Sequence, residues 1–124
     1  MIQPDERARI LIVEDEWMIA SQIHMAVQAA GFDVVGPVGE LTPALALAHA
    51  EDISAALLDI QLGPGVDVYP VADALRDRRI PFAFVSSLPR DQILPGHADR
   101  PLVAKPFQPA AIELTVGMLI NRRR

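Results

Sequence analysis

An α/β domain with a parallel sheet covered by helices on both faces is what this sequence predicts, and three observations predict it. Short apolar stretches alternate with segments of helical spacing along the 124-residue chain. Those stretches are nearly free of charge, as strands buried on both faces must be. Three of them end in charged chemistry: Val13 runs into Glu14-Asp15-Glu16, Leu58 into Asp59, and Ala104 into Lys105-Pro106-Phe107. Open α/β sheets place their ligand chemistry at the carboxyl ends of their strands.

Arg9 to Val13 is the first strand, β-branched and apolar. From Glu16 to Ala30, the residues Ile19, Ile23, Val27 and Ala30 recur at helical spacing, and Gly31 stops the helix. Asp33 to Val38 reads as the second strand, closed by Gly36, Pro37 and Gly39. Thr42 is placed as the cap of a short helix over Ala44 to Ala50, with Pro43 at its first position. Ile53 to Leu58 is the third strand; Asp59 ends it and a Gly63-Pro64-Gly65 turn follows. Asp67 to Arg79 carries a third helix, in which Pro70 is tolerable only near the start. Pro81 to Ser86 is the fourth strand. Pro89, Pro95 and Gly96 limit any helix between Ser87 and Arg100 to one or two turns. Pro101 to Ala104 is the fifth strand and Pro109 to Asn121 the last helix. Five strands thus alternate with five helical segments.

Length and composition bound the function. The chain fits one domain, 1–124, with 1–8 and 122–124 expected as frayed ends, and its 51% hydrophobic content argues against disorder. A net charge of −5 gives no general attraction to nucleic acid, and Arg122-Arg123-Arg124 is too short to reverse it. Without cysteine there is neither a disulfide framework nor thiol chemistry. The charged N-terminus lacks an apolar signal core and no run approaches membrane-spanning length, so a soluble cytoplasmic domain is expected. His24, His49 and His97 are scattered, so neither a histidine metal cluster nor a phosphodonor histidine is expected.

The acids carry two readings. Carboxylates after a strand are commonly a solvated helix start, favoured by the positive pole of the helix. Asp59 at another strand end raises the second reading: Glu14, Asp15 and Asp59 would repel one another without a hard cation such as Mg2+. The backbone carbonyl of Gln61 can complete that oxygen set. Lys105 can bridge to Asp59 and merely fix a loop, or neutralise a phosphoryl group carried by Asp59. Ser86 can give the same group a hydroxyl hydrogen bond.

With Val13-Glu14-Asp15-Glu16, Leu58-Asp59-Ile60, Ser86 and Lys105-Pro106-Phe107 in this order, the chain resembles a response-regulator receiver domain of the CheY-like, stand-alone type over essentially its whole length. The resemblance implies a flavodoxin-like, doubly wound five-stranded sheet of order 2-1-3-4-5. It implies that Asp59 accepts a phosphoryl group, with Mg2+, from a histidine kinase or histidine phosphotransfer protein. By position, Asp15 and Asp59 would meet the metal directly, Glu14 through water and Gln61 through its carbonyl. Ser86 would be the switch hydroxyl and Lys105 the phosphoryl contact, and the Lys105-Pro106 peptide is expected to be cis. A narrower resemblance is to single-domain regulators common in alphaproteobacteria, some with a Phe-Ala-Thr-Gly signature on the fourth strand. Val85-Ser86-Ser87-Leu88 keeps only its hydroxyl.

Two positions depart from the family. Leu102 stands where its aromatic switch residue lies, so output is expected to depend on Ser86 and the Ser87–Arg100 segment. That segment is also short and proline-rich, which makes the family's fourth helix vestigial. Without a DNA-binding domain of its own, the chain is expected to signal by protein–protein contact. The final helix offers a surface for it: Ile112, Val116 and Leu119 form an inward face, and Ala111, Leu114 and Met118 an apolar outward one. Leu102, Ala111, Leu114 and Met118 are accordingly the interface candidates, for a homodimer or another protein partner. Trp17 is expected as a lid over the helix start. Two alternatives stand beside the switch. A phosphohydrolase resembling the haloacid-dehalogenase type needs a second acid two residues after the nucleophile, where this chain has Gln61. A phosphorylation-independent adaptor would keep the site only as ancestry.

Overall fold

A computed structural model describes residues 7–123; of the residues 1–8 and 122–124 expected to fray, 1–6 and 124 lie outside the described residues. The chain runs β1 (Arg9–Val13), α1 (Trp17–Ala29), β2 (Asp33–Val38), α2 (Leu41–Ala50), β3 (Ala55–Leu58) and α3 (Tyr69–Asp77). It continues through β4 (Phe82–Ser86), two 3-10 turns at Arg90–Gln92 and Pro95–His97, β5 (Leu102–Ala104) and α4 (Pro109–Arg123). All strand pairs are parallel, in the order β2-β1-β3-β4-β5. This is the doubly wound sheet read from the sequence.

Side-chain alternation divides the interior into two layers. Leu11, Val13, Ala56, Leu58, Phe82 and Phe84 point to one face and meet α2 and α3 through Ala44, Ala48, Val71 and Leu75. Their neighbours Ile10, Ile12, Ala55, Leu57, Ala83 and Val85 point to the other, against Ile23 and Val27 of α1 and Ile112, Val116 and Leu119 of α4. Each strand feeds both layers, which explains why none alternates polar with apolar residues.

The proline-rich stretch between β4 and β5 closes only two 3-10 turns, the vestigial helix expected there, so that four α-helices form among the described residues. Two expectations change. The second helix begins at Leu41 with Glu40 as its cap residue, so Thr42 is already inside it. Pro43 is accommodated because the first four helical amides have no partner within the helix in any case. β3 begins at Ala55, since Ser54 spends its hydroxyl oxygen accepting from the Arg9 amide at 3.0 Å.

β2 leaves β1 at a bulge between Leu11 and Val13. Gly36 sits there at φ +96°, and a Cβ on it would lie 2.9 Å from the Val38 amide nitrogen and 3.0 Å from the Ile12 carbonyl oxygen. Only glycine fits that backbone.

Candidate functional site

The strand register brings the chemistry to one level. Val13 pairs with Leu58, Leu58 with Phe84 and Ser86 with Ala104, so the residues after four strands share the carboxyl edge. Backbone bonds fix them further: the Asp59 amide donates to the Val13 carbonyl at 2.8 Å, the Glu14 amide to Val38 at 2.9 Å, and the Lys105 amide to Ser86 at 3.0 Å. The result is a cleft of about 370 Å³ whose walls include Asp15, Asp59, Gln61, Ser86 and Lys105. The Lys105-Pro106 peptide is cis, as the motif led us to expect, and Gly36-Pro37 is cis as well.

Glu14, Asp15 and Asp59 each bring a carboxylate oxygen within 4.8 Å of the others. Lys105 reaches into the cluster, its Nζ 2.7 Å from Glu14 Oε1 and 3.4 Å from Asp59 Oδ2. Glu14 is buried, and its Oε2 accepts from the Glu16 amide at 3.1 Å. Both oxygens of Glu14 are thus engaged, while Asp15 keeps an exposed carboxylate on the cleft wall. Burial and the Glu14 charge together push the Asp59 carboxyl up to about 7, against the opposing pull of Lys105. Burial alone would lower the Lys105 ammonium, but the Glu14 bond and the Asp59 charge outweigh it and raise it. Three carboxyls around one lysine are an oxygen-rich set with negative charge to spare, and this fits a hard divalent cation.

The loop after β3 folds back on the site. The Val68 amide donates to Ile60 at 2.8 Å, Gln61 bridges to Asp67, and the Asp67 carboxylate receives the Tyr69 amide at 3.2 Å. Ser86 is buried, with its hydroxyl oxygen accepting from the Leu88 amide at 3.1 Å.

Two expectations fail at the residue level. Trp17 is 78% exposed and covers nothing; it opens α1 beyond the carboxyl edge of the sheet, beside a shallow groove shared with Ser21, His24 and Pro37. Ala111 does not belong to the outward stripe of α4, because it packs half-buried against the inner layer. Leu114 and Met118 do face outward, at 77% and 41% exposure, and Leu102 is half-buried against the α2/α3 layer.

The sequence reading missed Gly39 and His97. A Cβ on Gly39 would stand 2.9 Å from Asp15 Cα and 3.1 Å from the Glu14 carbonyl oxygen, so this glycine lets the loop after β2 close on the acidic turn. A glycine directly after a strand was the available signal. His97 is 1% exposed, with its Nε2 2.7 Å from Asp73 Oδ1. Nothing in the spacing of Asp73 and His97 along the chain announced the pair.

No family model matches the chain. It is 35% identical to SdrG from Sphingomonas melonis Fr1, covering 92% of this chain and 97% of that one at a TM-score of 0.80. The response regulator PhyR from Brucella abortus is 34% identical, with 94% of this chain and 49% of that one covered at a TM-score of 0.80. The phyllosphere-induced regulator PhyR of Methylorubrum extorquens is 32% identical over 120 residues. The match takes in 94% of this chain but 45% of that regulator, so the chain spans about half the length of the curated relative. Among the described residues no helix is long and apolar enough to cross a membrane.

Proposed function

The chain belongs to the response-regulator receiver family, and from that premise we propose that it is a phosphoacceptor switch whose acceptor is Asp59. It is a signalling module rather than a conventional enzyme. The observation that carries the reading is Asp59 at the end of β3, within a salt bridge of Lys105 and among the Glu14–Asp15 acids. A carboxylate oxygen of Asp59 attacks phosphorus, the bond to the donor breaks, and the donor leaves with its electron pair. A phosphohistidine of a kinase or phosphotransfer protein is the donor class, and its imidazole is the leaving group.

The residues have separable roles in that transfer. Asp15 and Asp59, with the Gln61 carbonyl, would hold Mg2+, and Glu14 would act from behind them. The bound cation supplies positive charge that offsets repulsion between the incoming phosphoryl oxygens and the acids. Lys105, already 3.4 Å from Asp59, neutralises a phosphoryl oxygen. Ser86 donates its hydroxyl to another, turning away from the Leu88 amide. The position two residues after the acceptor is Gln61, which leaves no acid for the hydrolytic step of a phosphatase.

Acetyl phosphate with Mg2+ tests the reading. Intact-protein mass spectrometry should show one acid-labile phosphoryl adduct on the wild type and none on Asp59→Asn. Equal labelling of both proteins refutes it, and no labelling of either favours the adaptor. Output through a homodimer would place Leu114 and Met118 at the contact. Sedimentation of Leu114→Glu/Met118→Glu beside wild type, with and without beryllofluoride, decides that point.

A further inference from the structure

We propose that Tyr69 and His97 form a tie by which the state of Asp59 reaches the β4–β5 segment; this rests on the phosphoacceptor reading and supplies its missing transmission step. Between Ser87 and Pro101 the chain makes no α-helix, so its position depends on individual anchors. Three of them lead back toward the acceptor. The Leu88 amide is held by the Ser86 hydroxyl at 3.1 Å, and the Leu94 amide donates to the Tyr69 hydroxyl at 3.1 Å. The third is His97, buried and bonded to Asp73 of α3 at 2.7 Å.

Tyr69 links these anchors to the site. Its ring lies parallel to the His97 imidazole, with centroids 6.0 Å apart and planes within 2°, and meets Phe84 of β4 edge-on at 6.3 Å. Its amide is bound to Asp67, the residue bridged to Gln61 on the wall of the acceptor cleft. A shift of the loop after Asp59 therefore moves the Tyr69 ring, and the ring holds both 3-10 turns' junction at Leu94 and the imidazole behind it. Leu102 has neither a ring nor a hydroxyl with which to make such a link, and it is half-buried beside Phe84. Tyr69 and His97 do the coupling from the α3 side instead. Ser86 and Tyr69 then act on the same segment at two points, its start and its middle: one releases Leu88 when a phosphoryl group arrives, and the other guides where the segment settles.

Amide hydrogen exchange resolved by residue tests this, with beryllofluoride as the phosphoryl mimic and acetyl phosphate labelling run in parallel. Wild type should show altered exchange over 88–98 on loading. In unloaded Tyr69→Phe, the Leu94 amide should exchange roughly five-fold faster, the effect of one ordinary hydrogen bond lost. On loading, the change over 88–98 should disappear in Tyr69→Phe and in His97→Gln, while Asp59 labelling stays within about two-fold of wild type. Tyr69→Phe removes one oxygen and keeps the ring, so it guards against a His97 variant that fails to fold. A full loading response in Tyr69→Phe overturns the tie while the acceptor reading stands, and so does a wild-type segment silent on loading. A wild type that takes no phosphoryl group overturns the acceptor reading, and the tie with it.

Discussion

The surroundings of Asp59 favour its neutral carboxyl over the charged one. Its folded pKa of about 7 lies above the ordinary aspartate value of 3.8, through burial first and the Glu14 charge second. A carboxyl raised in this way stabilises the fold fully below its unfolded pKa, and the contribution is lost as pH rises from about 4 through 7. In metal-free buffer at pH 8, Asp59→Asn should therefore melt above wild type, on the order of 5 °C for each kcal/mol relieved in a domain this size. The gap should close toward pH 4–5, and scanning calorimetry across that range measures it. The same proton competes with a cation. Mg2+ affinity, followed through the exposed Trp17 beside Asp15, should fall about ten-fold per pH unit below 7 in wild type. In Asp59→Asn binding should be weaker and nearly flat with pH. Gly39 bears on this site through space alone: the Cβ of Gly39→Ala would press on the Asp15 backbone. The substitution should weaken Mg2+ several-fold in the same titration, although no ligand atom is changed.

At the scale of elements, the inward and outward faces of α4 have different physical weight. Ile112 is fully buried in the α1/α4 layer, and Ile112→Ala should cost about 2–5 kcal/mol by transfer and cavity terms. Leu114→Glu/Met118→Glu changes exposed side chains and should stay within about 0.5 kcal/mol of wild type for each site. Urea denaturation of the two variants distinguishes them. The five strands were legible because each is a short uncharged run closed by a turn residue or a charge, as Leu58-Asp59 shows. The gathering of Glu14, Asp15 and Asp59 was legible for a related reason: parallel strands end together, so residues after different strands meet. What escaped depended on packing between distant segments. Ala111 falls on the outward arc of an isolated helical wheel, yet contact with the α1/α4 layer half-buries it. Tyr69, Asp73, Phe84 and His97 carry no common spacing, and only the fold brings them together.

For the whole molecule, a cation held by Glu14, Asp15 and Asp59 would be linked to folding. A ligand that binds only the native state adds RT ln(1 + [L]/Kd) to stability, about 2.7 kcal/mol at a hundred-fold excess over Kd. Mg2+ should therefore raise the melting temperature saturably in wild type and much less in Asp15→Asn, a thermal-shift comparison at pH 8. The sheet also separates two interiors, since alternate residues of β1, β3 and β4 face opposite layers. Substitutions in separate layers should add in their effects, because they share no packed neighbours. Asp59 lies at the carboxyl edge shared by both layers, while the Tyr69–His97 pair packs with Phe82 and Phe84 of one of them. This separation is a form of modularity: side chains in the layer around α1 and α4 can change while the opposite layer, with the Tyr69–His97 contact, keeps its packing.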